Sequence, residues 1–378
     1  MASRIKYIVL CVIVWSLYSC KREVEHSQPY EVINVKDAPF IDVDIPRKTI
    51  DVVALETNEN SLVQSITSVF LTDKYIIVFD IGAQRLLKFD RCGKFLQNMS
   101  RRGRGPNELI EIRKVVLYNN LLFLYGLGQK MIVMDLDGNV VRNIKFDDGD
   151  FISFSPNFDG GLWTYMYSNN KGNRSHYLTL LDKNTKVINR WGEKHPRSLN
   201  IVSPQIYFFE DGQGNNYFRH HLTDYIYILD NNKTQPIYKF DVGDNTPDYE
   251  NIATLWKDED IDFALEGKTT IGDVVFVGHH LIFTYSRRSK NGSKRHYGIY
   301  DTREKETYIS NQAIDFSFYL NTVNQDGTYF YRIIQPHLLK GEILKEYEKR
   351  CGHQLNEDDN PIIVIDKVSE IKLLNNIK

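Results

Sequence analysis

The chain has 378 residues, of which 42% are hydrophobic and 12% aromatic, with 23 Tyr and 20 Phe against only 11 Pro. Its formal net charge of −2 removes the whole-chain electrostatic argument for nucleic-acid binding, which needs a strongly basic domain. The composition also excludes disordered, collagen-like and coiled-coil chains, and the enrichment in aromatic residues favours β-structure.

The N-terminus has the features of a secretory signal. Arg4 and Lys6 precede an apolar run over residues 7–15, and Leu-Tyr-Ser-Cys follows at residues 17–20. A basic start, a short apolar segment and small residues before a cleavage point are typical of a signal peptide, which we place at residues 1–19. About ten apolar residues are too few to cross a bilayer, so a retained transmembrane helix is the weaker interpretation.

Cys20 ends a segment that resembles the bacterial lipobox, and we expect this residue to carry the acyl chains that anchor the protein. An ordinary signal peptide with an incidental cysteine is the alternative. We expect residues 20–46 to be the lipidated cysteine and a polar tether, followed by one domain at residues 47–378. Cys92 and Cys351 fall on opposite faces in the repeat register, so we predict that they are unpaired.

Two short patterns alternate along the chain, six times each. The first is an apolar or aromatic residue followed by Asp, with successive spacings of 45, 47, 48, 71 and 65 residues. Its aspartates are Asp90, Asp135, Asp182, Asp230, Asp301 and Asp366. The second is a polar turn before an aromatic-rich strand, from Asp73-Lys74 to Asp326-Gly327. A period in the mid-forties is typical of a four-stranded propeller blade.

The predicted fold is therefore all-β, a six-bladed β-propeller. For the first repeat the predicted strands lie at residues 65–71, 75–80, 85–90 and 95–100. A pair of β-sandwiches lacks a fixed period, and a β-helix repeat is about half this length, so both alternatives fit less well.

The two long spacings predict short helical insertions. One lies near 245–270, between blades four and five, and the other near 336–360, within blade six. Closing the ring needs a strand from one terminus. Residues 50–55 and 370–374 are both candidates, and the pattern does not choose between them.

Blade one carries a more specific motif. A strand ending in Phe89-Asp90, a turn at Cys92-Gly93 and the loop Gly-Arg-Gly-Pro-Asn-Glu at residues 103–108 resemble the first blade of a bacterial family. That family comprises six-bladed β-propeller lipoproteins of Gram-negative gut bacteria, similar to NHL-repeat propellers. The resemblance implies the fold and the lipid anchor, and it favours the outer membrane. It implies no reaction and no catalytic residues.

The loop at 103–108 lacks the Gly-Lys-Ser/Thr ending of a Walker motif and opens no helix, so we predict a structural turn between blades one and two. A tight turn does not require the three guanidinium groups of Arg101, Arg102 and Arg104. In a propeller, the blade-to-blade connections and the loops between second and third strands meet around the channel mouth. The candidate ligand-binding residues there are Arg101, Arg102, Arg104, Arg219, His220, His221, Arg287, Arg288 and Arg332. Ordinary charged surface loops are the alternative.

No catalytic constellation is evident, because neither a His-Glu-x-x-His nor a Gly-x-Ser-x-Gly motif occurs. The pairs His220-His221 and His279-His280 predict no metal site, since adjacent strand residues point to opposite faces. We expect no other cofactor. Tyr285, and Tyr167 in blade three, are candidates for stacking on a sugar ring.

The leading hypothesis is a non-catalytic cell-envelope protein, held to the membrane by its lipid anchor and binding an anionic glycan or an envelope protein at the basic mouth. Nucleic acid is not an expected partner. The alternative is a metal-dependent hydrolase or lyase with an ion in the central channel.

Overall fold

The computed structural model describes residues 29–44, 47–146, 151–157, 159–166, 176–193, 207–211, 213–220, 223–230, 233–252, 255, 258–289, 292–311, 329–368 and 371–374. These residues form six small β-sheets arranged as the blades of a propeller, so the predicted all-β, six-bladed fold is confirmed. The predicted signal peptide and Cys20 lie outside the described residues.

The strands follow one another from blade to blade. The N-terminal strands are β1 (Glu31–Asn34), β2 (Phe40–Asp44) and β3 (Arg47–Ala54). Blade one contains β4 (Ile66–Leu71), β5 (Tyr75–Asp80), β6 (Arg85–Asp90) and β7 (Phe95–Asn98). Blade two contains β8 (Ile112–Tyr118), β9 (Leu121–Gly126), β10 (Lys130–Asp135) and β11 (Val140–Lys145). Blade three contains β12 (Phe151–Pro156), β13 (Leu162–Met166), β14 (His176–Leu181) and β15 (Val187–Glu193).

The remaining blades follow the same order. Blade four contains β16 (Phe208–Glu210), β17 (Asn216–Phe218), β18 (Tyr225–Asp230) and β19 (Lys233–Asp241). Blade five contains β20 (Thr269–Val277), β21 (His280–Ser289), β22 (Gly292–Asp301) and β23 (Glu306–Ser310). Blade six contains β24 (Tyr329–Ile334) and β25 (Ile362–Val368), and β26 (Lys372–Leu374) follows it. The four strands predicted for blade one agree with β4 to β7 to within two residues.

The recurring aspartate is explained by the turn that follows it. In blades one to three, Asp90, Asp135 and Asp182 each use Oδ1 to accept the backbone N–H groups of the residues two and four positions later, at 2.8–2.9 Å. An aspartate side chain stabilises a tight turn in this way without help from distant residues. The sequence pattern therefore marks the hairpin between the third and fourth strands of a blade.

Apolar clusters lie between every pair of neighbouring blades, including blades six and one. The second strand of a blade is buried on both faces. In β5, Ile76 and Val78 pack toward blade six, whereas Ile77 and Phe79 pack toward blade two. This is why the second strands are continuously apolar rather than alternating.

The first two strands extend the outer edges of two blades. β1 pairs in parallel with β19 of blade four, and β2 pairs in parallel with β23 of blade five. Ile33, Ile41 and Val43 are buried by this pairing. The stretch 31–44, which we expected to belong to the tether, thus packs on the propeller.

The N-terminal segment also closes the ring. β3 pairs antiparallel with β25 and forms the outer strand of blade six, so the first of the two predicted closing segments is confirmed. The other candidate, at the C-terminus, contains β26, which pairs with β2 at the edge of blade five.

Both predicted helical insertions are present. The first contains α1 (Tyr249–Ile252) and α2 (Asp258–Ala264), and the second contains α3 (Gly341–Cys351). Gly352, with φ of 79°, ends α3 in a left-handed cap that a residue without a Cβ adopts readily. Within the described part of the chain, no helix combines the length and the hydropathy needed to cross a bilayer. Cys92 and Cys351 are both free, as predicted.

Candidate functional site

We call the two ends of the propeller the mouth face and the turn face. The mouth face carries the blade connections, such as 99–111, and the loops between second and third strands, such as 81–84. The turn face carries the tight hairpins, such as 135–139 and 278–279. The predicted basic residues belong to the mouth face.

The loop from blade one to blade two is held by its own backbone. The Leu109 N–H donates to the carbonyl of Arg101 at 3.0 Å, and the Gly103 N–H donates to the carbonyl of Leu109 at 3.1 Å. Leu109 is buried between the two blades. These contacts give the loop a fixed shape, so the predicted structural role of the motif is supported.

Glu108 explains the glycines of the motif. Its Oε2 accepts the Gly105 N–H at 2.9 Å, and a Cβ at Gly103 would lie 2.0 Å from the same oxygen. Lys130 Nζ donates to the carbonyls of Gly105 and Glu108 at 2.7 and 2.8 Å. The carboxylate and the ammonium group therefore both serve the loop itself.

Unlike Glu108 and Lys130, the three arginines of this segment have no side-chain partner among the described residues. Arg101, Arg102 and Arg104 are exposed, and none of them forms an ion pair with any residue that the structure describes. Six other described arginines are paired with a carboxylate, namely Arg85, Arg91, Arg113, Arg288, Arg332 and Arg350. The loop thus presents three guanidinium groups to solvent on a rigid backbone.

Arg219 and Arg332 serve the fold instead. The Arg219 side chain is only 1% exposed and donates to the carbonyls of Ile271 and Gly272, at 2.8 and 2.9 Å, so it links blade four to blade five. Arg332 binds the buried Asp366 through Nε at 2.5 Å and through Nη2 at 3.3 Å. The buried Arg219 guanidinium is therefore not available to a ligand, whereas the Arg332 side chain is held by Asp366 but stays 33% exposed.

The second and third strands of blade five extend as a basic hairpin. Arg287 lies opposite Lys294, and Tyr285 lies opposite His296 with the two rings stacked at 5.0 Å. Arg287 is exposed, and its one side-chain hydrogen bond to a described residue is with Asn245 Oδ1 at 3.5 Å, whereas Arg288 pairs with Asp262 of α2. This hairpin and the blade-one loop are separated by blade six, so the mouth face carries two basic groups rather than one.

His220 is half-buried among aromatic rings. Its ring lies 4.5 Å from that of Tyr177 and 5.6 Å from that of Tyr165. It therefore packs at the junction of blades three and four. The candidates His221 and Tyr167 lie outside the described residues.

The prediction that neighbouring histidines diverge is wrong for His279 and His280. His279 is the second residue of the tight turn Gly278-His279 and His280 is the first residue of β21, so the alternation of a strand does not apply between them. Their rings lie 4.0 Å apart, and both face Asp301. In the portion of the chain that the structure describes, these three residues are the only group of three potential metal ligands. They lie on the turn face, away from the channel mouth.

Lys114 is a candidate that the sequence analysis missed. It lies on β8, the inner strand of blade two, and its Nζ contacts Ser153 Oγ on β12, the inner strand of blade three, at 2.5 Å. Burial lowers the pKa of its amine to about 8, although the side chain keeps partial contact with solvent. The inner strands of a propeller line its central channel. A charged residue within such a strand is the sequence feature that could have identified Lys114.

Comparison with known proteins supports the fold. A family model described as "Domain of unknown function (DUF4934)" matches residues 31–367, and no curated protein matches the sequence. The chain is similar to a Bacteroides fragilis protein described as exported, with 14% identity and a TM-score of 0.66 over 90% of this chain and 100% of that one. It is less similar to virginiamycin B lyase from Staphylococcus aureus, with 8% identity and a TM-score of 0.41 over 85% and 99% of the two chains.

Proposed function

The chain belongs to the DUF4934 family, a domain of unknown function, and we propose that it is an exported, lipid-anchored propeller that binds an anionic glycan at its mouth face. The basic and apolar start of the chain supports export, and the Leu-Tyr-Ser-Cys sequence ending at Cys20 supports the anchor. Similarity to a Bacteroides fragilis protein described as exported agrees with a location outside the cytoplasm.

The observation that carries the proposal is the set of exposed guanidinium groups at Arg101, Arg102 and Arg104, none of which pairs with a residue that the structure describes. Guanidinium groups bind carboxylates and sulfates through paired hydrogen bonds, and a rigid loop lowers the entropy lost on binding. The stacked Tyr285–His296 pair beside Arg287 adds an aromatic surface suited to a sugar ring. Charge together with an aromatic surface favours an acidic polysaccharide over an acidic protein.

Binding of defined polymers to the purified full chain tests the proposal. We expect polygalacturonate or heparin to bind and neutral dextran not to bind. Replacing Arg101, Arg102 and Arg104 together by Ala should weaken binding at least about 10-fold, and Arg287→Ala should weaken it less. Binding should also weaken as the salt concentration rises, because these groups are exposed.

Arg303→Ala is the matched control, since Arg303 is an exposed arginine in a hairpin of the turn face. It should leave the affinity unchanged. Equal affinity of the triple variant and the wild type would contradict the proposal. Tighter binding of poly-L-glutamate than of both glycans would contradict the proposal and indicate that the mouth face binds an acidic protein.

A further inference from the structure

Two hairpins of blade five bring two imidazoles and a carboxylate together. Val277 pairs with His280 across a two-residue turn, Gly278-His279, in which Gly278 has φ of 60°. Glycine at the first position of such a turn permits the left-handed backbone that a two-residue hairpin needs. His280 lies directly opposite Asp301 in the β21–β22 pairing, so all three side chains meet at the turn face.

The distances match metal coordination better than hydrogen bonding. The Nε2 atoms of His279 and His280 lie 3.5 and 3.4 Å from the same oxygen, Asp301 Oδ2. A good N–H···O bond is shorter, at about 2.9 Å. With metal–ligand bonds of about 2.0–2.1 Å, the ligands of a tetrahedral zinc ion lie about 3.4 Å apart. The three donor atoms all lie within 4.8 Å of one another, so a small rotation of the side chains brings all three within bonding distance of one ion.

The carboxylate is oriented as a metal ligand would be. Asp301 Oδ1 accepts the N–H groups of Arg303 and Glu304 at 2.8 and 3.1 Å, which is the turn role of the aspartate in other blades. This leaves Oδ2 directed at the two histidines. Thr302 Oγ1 donates to the His279 carbonyl at 2.7 Å and fixes the turn that carries that histidine. Such second contacts, which hold the ligands in place, are typical of metal sites.

From this geometry we propose that His279, His280 and Asp301 form a zinc-binding site on the turn face of blade five, with the fourth coordination position open to solvent. Two imidazoles and one carboxylate are a ligand set that zinc accepts. The His280 and Asp301 side chains are 3% and 10% exposed, whereas His279 is 19% exposed and leaves an entry path. The site is independent of the glycan-binding proposal, because it lies on the other face.

Titration of the metal-free full chain with ZnCl2, followed calorimetrically, tests the site. We expect one zinc ion per chain. Co2+ in place of zinc should give the intense visible absorption of a four-coordinate ion. Asp301→Asn keeps an oxygen for the two turn N–H groups but replaces the ligand oxygen by an amide, so it should lower the zinc affinity at least about 100-fold. His279→Asn should do the same without changing the melting temperature of the metal-free protein.

Asp135→Asn is the matched control, because Asp135 makes the same turn contacts in blade two without histidines beside it. It should leave zinc binding unchanged. Absence of zinc binding to the wild type would overturn the proposal. Unchanged affinity in both Asp301→Asn and His279→Asn would overturn it as well, since zinc would then bind elsewhere.

Discussion

At the scale of single residues, two arginines of the mouth face illustrate how environment decides the role of a charge. Arg219 is buried and bonded to backbone carbonyls of the neighbouring blade, so removing it would leave those acceptors without a donor. Arg104 is exposed and has no ion pair among the described residues, so its charge is available to a ligand. The sequence assigns both arginines to the mouth face. Only the tertiary packing shows that one is buried and the other exposed.

Lys114 contributes to stability in a pH-dependent way. Its folded-state pKa of about 8 lies below the ordinary lysine value of about 10.5, so folding favours release of this proton. The buried ammonium therefore opposes folding below about pH 8, and this cost disappears as the pH rises through about 8 to 10.5. At 1.36 kcal/mol per pKa unit, and allowing for the partial solvent exposure of the side chain, the cost is about 1–3 kcal/mol.

Lys114→Met is thus expected to raise the free energy of unfolding at pH 7 by about 1–2 kcal/mol, the lost contact with Ser153 offsetting part of the gain. Urea unfolding at several pH values measures this. The difference between variant and wild type should shrink between about pH 8 and pH 10. Lys145→Met, at an exposed site on β11, is the control and should show no such convergence. A difference that stays constant over this range would contradict the account of Lys114.

At the scale of elements, β1 and β2 make the N-terminal segment part of the folded domain. Ile33 is fully buried in the cluster between blades four and five, whereas the adjacent Val32 is 45% exposed. Ile33→Ala should lower the free energy of unfolding by about 2–4 kcal/mol. Val32→Ala should lower it by less than about 1 kcal/mol. Chemical denaturation of the two variants provides the measurement, and equal, small effects would mean that this segment behaves as a tether after all.

The elements that the sequence predicts well are those held by local interactions. The hairpins with an aspartate such as Asp90 or Asp135 form through contacts within five residues, which a repeat pattern records directly. β1 and β2 are short strands added in parallel to sheet edges that exist only after the blades have folded. The convergence of His279 and His280 was missed for a similar reason, because turn geometry overrides the alternation of a strand.

At the scale of the whole molecule, six apolar interfaces make a closed ring, and the seam between blades six and one depends on close backbone contact. Gly93 has φ of 86°, and a Cβ there would lie 2.1 Å from the carbonyl oxygen of Ala54 in β3. Gly138 occupies the equivalent turn of blade two with φ of 85°, and its nearest atom would be 3.4 Å away, in the Gln97 side chain.

Replacing each of these two glycines by alanine distinguishes the cost of backbone strain from the cost of disrupting the contact between β3 and blade one. Gly138→Ala should cost only the left-handed strain, about 1–2 kcal/mol. Gly93→Ala should cost about 3 kcal/mol or more, because it also forces β3 away from blade one. Equilibrium unfolding in denaturant compares them directly. Similar losses of unfolding free energy in the two variants would show that the seam between blades six and one tolerates the displacement of β3.

The central claim is that the mouth face binds an anionic glycan, and hydrogen exchange of the full chain with and without the tightest-binding polymer tests it most directly. We expect slower exchange in the blade-one loop, 101–109, and in the basic hairpin, 285–289 and 292–296, with no change in the turn-face hairpins 135–139 and 182–186. Protection confined to the turn face, or a bound polymer that protects neither mouth segment, would contradict the claim.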